Sequence, residues 1–340
     1  MLNNRNRIEY LDIAKGIAIL LVVLGHTCQI STIGIWIYSF HLPLFFFISG
    51  CILSLKDSNI DMKKSIKNRL KSLLLPYLGF SLIIFCLWFI NTYLTGKITS
   101  NIVSNEIIAI ITFKGIDALW FLPCLFFVEI LFVISMKYIK KKEVILLMLV
   151  ILSTLPFVNL GISHNEFYIQ FMRILIGFVF LEVGYLSFKN IQSNKFNIIF
   201  FIGLIIINVI LGRYNKQVDL YSLNLNNYFL YYGSAFSGIL AILLMCKEMV
   251  NVKTISFLGK NSLIIMAIHI QIIIIVSKLI SVTTKHDNVY IANNLYFSLL
   301  VFFLTVLILV PLIKIINKYF YFLLGKKQVD SIKKRSNNSA

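Results

Sequence analysis

The sequence predicts an all-α integral membrane protein, a single bundle of about ten transmembrane helices with both termini in the cytoplasm. Three observations predict it. First, 59% of the 340 residues are hydrophobic and only 14% are charged, with a mean hydropathy of +0.86. Soluble domains carry about 25% charged residues. Second, apolar runs of spanning length follow one another along the chain, and a helix needs about 20 such residues to cross hydrocarbon. Third, lysine and arginine alternate between successive connections, as the positive-inside rule requires.

The ten segments lie near 11–30, 36–55, 72–94, 118–136, 144–160, 168–187, 196–212, 228–246, 262–282 and 294–313. The first is long enough to remain as a helix and lacks the pattern of a cleaved leader. The second carries His41 and Pro43 near its start, and the third follows the basic stretch 56–71, read as a cytoplasmic loop. The sixth carries Arg173 and Glu182 within its apolar run. The seventh is short, and the eighth is interrupted by Gly233, Ser234, Ser237 and Gly238. The ninth contains His269 and the tenth Pro311. Hydrocarbon offers the backbone no hydrogen-bond partners, so each segment must be helical. Residues 1–325 form one transmembrane domain, and 326–340 a short basic tail.

With both termini inside, the inner segments hold 24 of the 32 lysines and arginines, and the outer segments hold Lys97, Lys114, Arg213, Lys216 and Lys285. The net charge of +18 is thus a topology signal with the lipid bilayer as its partner. No basic domain exists to fold against nucleic acid. Cys28, Cys51, Cys86, Cys124 and Cys246 fall in apolar runs without CxxC spacing, which predicts small core residues and neither disulfides nor a metal site.

Ionisable residues inside hydrocarbon are costly and mark function by default. Lys15 and His26 are eleven residues apart, which places them on nearly one helix face, about 16 Å along the axis. His41 lies near the outer start of the next segment, so His26 and His41 are expected to share a pocket. Two imidazoles make a poor zinc site, and general base is the better role. His269 lies on the inner half of its segment and is not expected to join them. Asp12 precedes Lys15 by three residues, the spacing of a helical ion pair. Glu129, Arg173 and Glu182 each need a partner, with Arg173 and Glu182 on opposite faces. Arg69 and Lys71, at a cytoplasmic mouth, suit the phosphates of a cytosolic donor.

These residues carry a resemblance. RIEYLDIAKGIAILLVVLGH, FHLPLFFFISGCILS, RLKSLLLPY, LWFLPCLFFVE and LGKNSLIIMAIHIQI follow in order over nearly the whole chain. Together they resemble the membrane-bound acyltransferase family 3, which includes O-acetyltransferases of bacterial surface polysaccharides and related sugars. The resemblance implies a ten-helix domain in the bacterial plasma membrane that moves an acyl group from acyl-coenzyme A, acetyl-coenzyme A first among them, to a hydroxyl of a sugar acceptor, free or lipid-linked. The family's basic residue and histidine map onto Lys15 and His26, and its HxPLFFFISG element places His41. Its paired-arginine motif maps onto Arg69, but the second position is Ser72, where Lys71 or Lys67 supplies the charge. Relatives that carry an extra extracytoplasmic domain differ from this chain, which resembles the stand-alone members. The competing reading is a transporter or flippase of sugar intermediates. Such proteins often show two related halves, and no internal repeat is visible.

Overall fold

The computed structural model describes residues 8–55, 61–139, 141–158, 165–193, 196–249 and 252–326. Among them the chain is helical, and the one strand-like feature is the isolated bridge between Asp219 and Asn224. The helices are α1 (Glu9–Thr27), α2 (Ser31–Tyr38), α3 (His41–Ser54), α4 (Met62–Arg69), α5 (Leu75–Leu94), α6 (Ser100–Ile111), α7 (Phe121–Tyr138), α8 (Lys142–Thr154), α9 (Glu166–Ser193), α10 (Ile198–Asn215), α11 (Tyr228–Glu248), α12 (Lys253–Lys260), α13 (Ser262–Thr284), α14 (Asn288–Asn293) and α15 (Leu295–Tyr319).

Among the described residues nine stretches are long and apolar enough to cross a membrane. Two are composite: α2 with α3, and α4 with α5. The predicted segment 144–160 is shorter. It is α8 followed by a 3₁₀ turn at Leu155–Phe157, where Pro156 has no N–H with which to extend the helix. Residues 159–160 lie outside the described residues. Geometry still requires a pass there. Lys114, just before α7, pairs with Glu166 at the start of α9 (2.6 Å). Gln170 donates to the Thr112 carbonyl (2.9 Å). So α7 and α9 start at the same end of the bundle, and α8 returns the chain between them.

The start of α1 and the end of α15 also share one end of the bundle. The first turns of α1 pack on α12, and Asn317 near the end of α15 donates to Asn261 at the α12–α13 junction (2.8 Å). That end holds Lys253, Lys260 and Lys318, and Lys247 donates to the Ile191 carbonyl at the end of α9 (2.9 Å). A cation there complements the helix dipole, and the charge assigns this end to the cytoplasm.

Three expectations are corrected. The stretch 56–71, read as a loop, is helical from Met62, with Asp61 capping through its carboxylate (Lys64 N–H, 3.2 Å). It runs into α5 through one π turn at Leu70–Leu74. Apolar Met62 and Ile66 are half-buried beside buried Arg69, while Lys63, Lys64 and Lys67 stay exposed, so the stretch is amphipathic and not merely charged. Cys86 is exposed, unlike the other four cysteines, because its face of α5 contacts no other helix. The interrupted segment at 228–246 is one continuous helix. Its small residues let α10 approach, and Asn208 donates to the Ser234 carbonyl (2.7 Å) and the Ser39 hydroxyl (3.1 Å).

In intact cells, single cysteines replacing Asn101 or Asn288, with the native cysteines removed, should react with an impermeant maleimide, and one replacing Asn190 should not. Reaction at 190 with protection at 101 would invert the orientation.

Candidate active site

His26 meets His269. Their ring centroids are 5.2 Å apart at an interplanar angle of 50°. This corrects the expectation that His269 sits too far inward. A Cβ on Gly259 would lie 1.8 Å from the Asp12 carbonyl, so the end of α12 and the first turn of α1 touch backbone to backbone, and α13 leaves that contact beside α1. Seven residues into α13 the chain places His269 against His26.

The three histidines are not equivalent. His269 is fully buried and His41 is 4% exposed, whereas His26 is exposed. His269 Nδ1 lies 2.9 Å from the Ile265 carbonyl and 3.1 Å from that of Met266. His41 Nδ1 lies 2.8 Å from the Ile37 carbonyl. A carbonyl only accepts, so each Nδ1 carries the hydrogen and each Nε2 is left with a lone pair. The Nε2 of His269 is buried with no hydrogen-bond partner in the structure. The His41 ring lies 5.0 Å from that of Tyr38, which itself packs against α1 at Gly25. Pro43, in the first turn of α3, is buried there and needs no partner for its missing N–H. Lys15 is half-buried and Asp12 buried on the inner half of α1.

The outer end is closed by the connection 216–227, which the sequence did not single out. Asp219 accepts from the Tyr221 N–H (2.9 Å), the Ser222 N–H (3.2 Å) and the Ser222 hydroxyl (2.6 Å). Buried Val218, Leu220 and Leu225 anchor the turn. Arg173 finds its partners here. Its guanidinium lies 4.4 Å from the Tyr221 ring centroid and 5.0 Å from that of Trp120, and it donates to the Tyr221 carbonyl. Asp117 accepts from Gln271 (2.7 Å), two residues beyond His269.

At the cytoplasmic mouth Arg69 is buried and paired with Glu129 (2.7 Å). It also donates to the Ser65 carbonyl (3.2 Å). Lys67, Lys71 and Ser72 are exposed. Lys71 sits on the π turn, where Pro76 interrupts the ordinary ladder. Glu182 accepts from Ser135 (2.6 Å), so it and Arg173 have separate partners. Among the described residues no group of three or more His, Cys, Asp or Glu is placed to hold a metal ion.

The bundle thus holds an accessible imidazole backed by a buried one at its outer half, and free lysines at its inner mouth. The family model described as the acyltransferase domain, acyltransferase 3, matches residues 8–314. The chain belongs to this acyltransferase family. Its nine helical stretches of spanning length among the described residues suit a multi-pass membrane protein. The chain is also similar to Nodulation protein NolL of Sinorhizobium fredii, 38% identical over 84 residues. That match covers 22% of this chain and 23% of the relative, so the chain spans about a quarter of the relative's length. No solved structure matches.

Proposed function

We propose that the protein moves an acyl group, acetyl first among them, from cytosolic acyl-coenzyme A to a hydroxyl of a sugar in a cell-surface polysaccharide or its lipid-linked precursor, in the bacterial plasma membrane. The observation that carries this reading is the pairing of His26 and His269, in which the exposed partner is the one in phase with Lys15. Acyl-coenzyme A is too polar to cross a bilayer. Its phosphates rest at Lys67 and Lys71, beside the Arg69–Glu129 pair, and its thin arm enters past Lys15.

His26 takes the proton of the acceptor hydroxyl. The oxygen attacks the thioester carbonyl, the C–O bond forms and the C–S bond breaks. The departing thiolate then receives the proton back from His26. Asp219 and the Nε2 lone pair of His269 favour the imidazolium that forms between these steps. Base catalysis by a positioned imidazole contributes about 10²–10⁴-fold.

Purified protein given radiolabelled acetyl-coenzyme A should pass label to a hydroxyl-bearing carbohydrate. Movement of sugar across vesicles without label transfer would favour a flippase instead. Lys67→Ala and Lys71→Ala should raise the donor KM severalfold with kcat nearly unchanged, because such contacts bind ground and transition states alike. A donor KM unchanged in both would assign these lysines to topology alone.

A further inference from the structure

A cavity of about 670 Å³ opens at the outer end of the bundle between α6, the segment 112–117 and the first turns of α9. Its size lies within the range of about 300–1,000 Å³ usual for small-molecule sites. Its floor is a rigid turn. Phe113, Gly115 and Asp117 all have positive φ (61°, 77° and 51°), an accumulation of strained backbone characteristic of functional segments. Gly115 is required there, because a Cβ would lie 2.4 Å from the Trp120 nitrogen. Tyr77 holds α6 in place by donating to the Ile110 carbonyl (2.7 Å).

The lining mixes polar and apolar side chains, with Phe167 and Tyr221 as its aromatics. Asn105, Gln170 and Asn165 present amides, and Tyr221 lines the cavity while its ring is held by the Arg173 guanidinium. Amides beside an aromatic face suit a sugar ring, which offers hydroxyls at its edge and C–H groups on its face. The charges are lopsided. Among the described lining residues Glu106, Asp117 and Glu166 stand against one cation, Lys114, and Lys114 is paired with Glu166 (2.6 Å). Its hydrogen bond to Glu166 raises the Lys114 pKa above the ordinary lysine value, so this cation stays charged and committed to that pair. Among these four residues Glu106 and Asp117 are the acids in excess.

We infer that this cavity is the acceptor subsite, and that it takes a neutral or amino sugar and rejects uronic acids and other anionic glycans. The inference rests on the proposed transfer to a sugar and narrows its acceptor class. It also separates the two substrates by charge, since the polyphosphate donor is repelled from the outer cavity and attracted to the lysines at the inner mouth.

Equilibrium dialysis of the full-length protein against three tetrasaccharides tests this: neutral cellotetraose, cationic glucosamine tetramer and anionic tetragalacturonate. The neutral and cationic tetramers should bind about tenfold or more tighter than the anionic one, the scale of a partly screened charge contact. Glu106→Lys should reverse that order for tetragalacturonate, a gain that misfolding cannot imitate. Tyr221→Ala should weaken cellotetraose. Equal binding of all three tetramers, no binding of any of them, or an order unmoved by Glu106→Lys would overturn the inference. Dialysis needs no turnover. Binding as expected without acyl transfer would therefore sink the enzymatic reading while leaving the cavity a sugar site, and transfer without this binding order would do the reverse.

Discussion

Glutamine in place of His26 should reduce acyl transfer by about 10²–10⁴-fold while the protein still inserts and folds. Glutamine keeps a hydrogen-bonding group of similar size but does not exchange a proton near neutral pH. His26 is exposed at the outer end of α1, so the change removes no packed core and the loss should appear in kcat. His269→Gln is expected to cost less activity but some stability, because His269 is fully buried and its ring is held by two backbone carbonyls. Its effect on kcat should be partly rescued by His269→Asn, whose side-chain amide can donate to the same carbonyls. Membrane-inserted His26→Gln with near wild-type turnover would remove the mechanism and leave the family untouched. The search for a base would then move to His41, which keeps a lone pair on Nε2 behind Tyr38.

Hydropathy made the bundle legible because a bilayer imposes one length and one backbone solution on every crossing. The positions of eight segments follow from it closely. What it hid are features shorter than a span. The helix α4 reads as a basic loop because its buried face amounts to Met62, Ile66 and Arg69. The amphipathic α6, with exposed Ile107 and Ile111 on one side and Asn105 and Glu106 lining the cavity, is too short to register.

The candidate site was legible along one helix and not across helices. Lys15 and His26 declare themselves by phase. The meeting of His269 with His26 depends on how α12 and α13 pack along α1, including the backbone contact at Gly259, which no periodicity reports. Asp219 and Tyr221 had a weak signal, an acid and an aromatic in an outer connection that also held Lys216. Their role becomes visible only when the connection folds back onto Arg173 and Trp120.

Arg69→Ala should destabilise the protein by about 3 kcal/mol, because breaking a buried ion pair strands its partner charge. Arg69 and Glu129 have side chains only 9% and 17% exposed and lie 2.7 Å apart. A fall in donor affinity in that variant would therefore not show that Arg69 touches the donor. The paired replacement Arg69→Met with Glu129→Leu separates the two effects. Swapping a buried ion pair for apolar residues of similar volume is often neutral or stabilising, so thermal stability in detergent should return to near that of the parent. If Arg69 mainly anchors α4 to α7 and aims the π turn, the donor KM should return with it, to within about twofold, the scatter expected when binding contacts themselves are intact. Lys67 and Lys71, exposed on the same stretch, then hold the phosphates. A double variant that regains its stability but keeps a raised donor KM would sink this division of labour and assign the guanidinium itself to the donor.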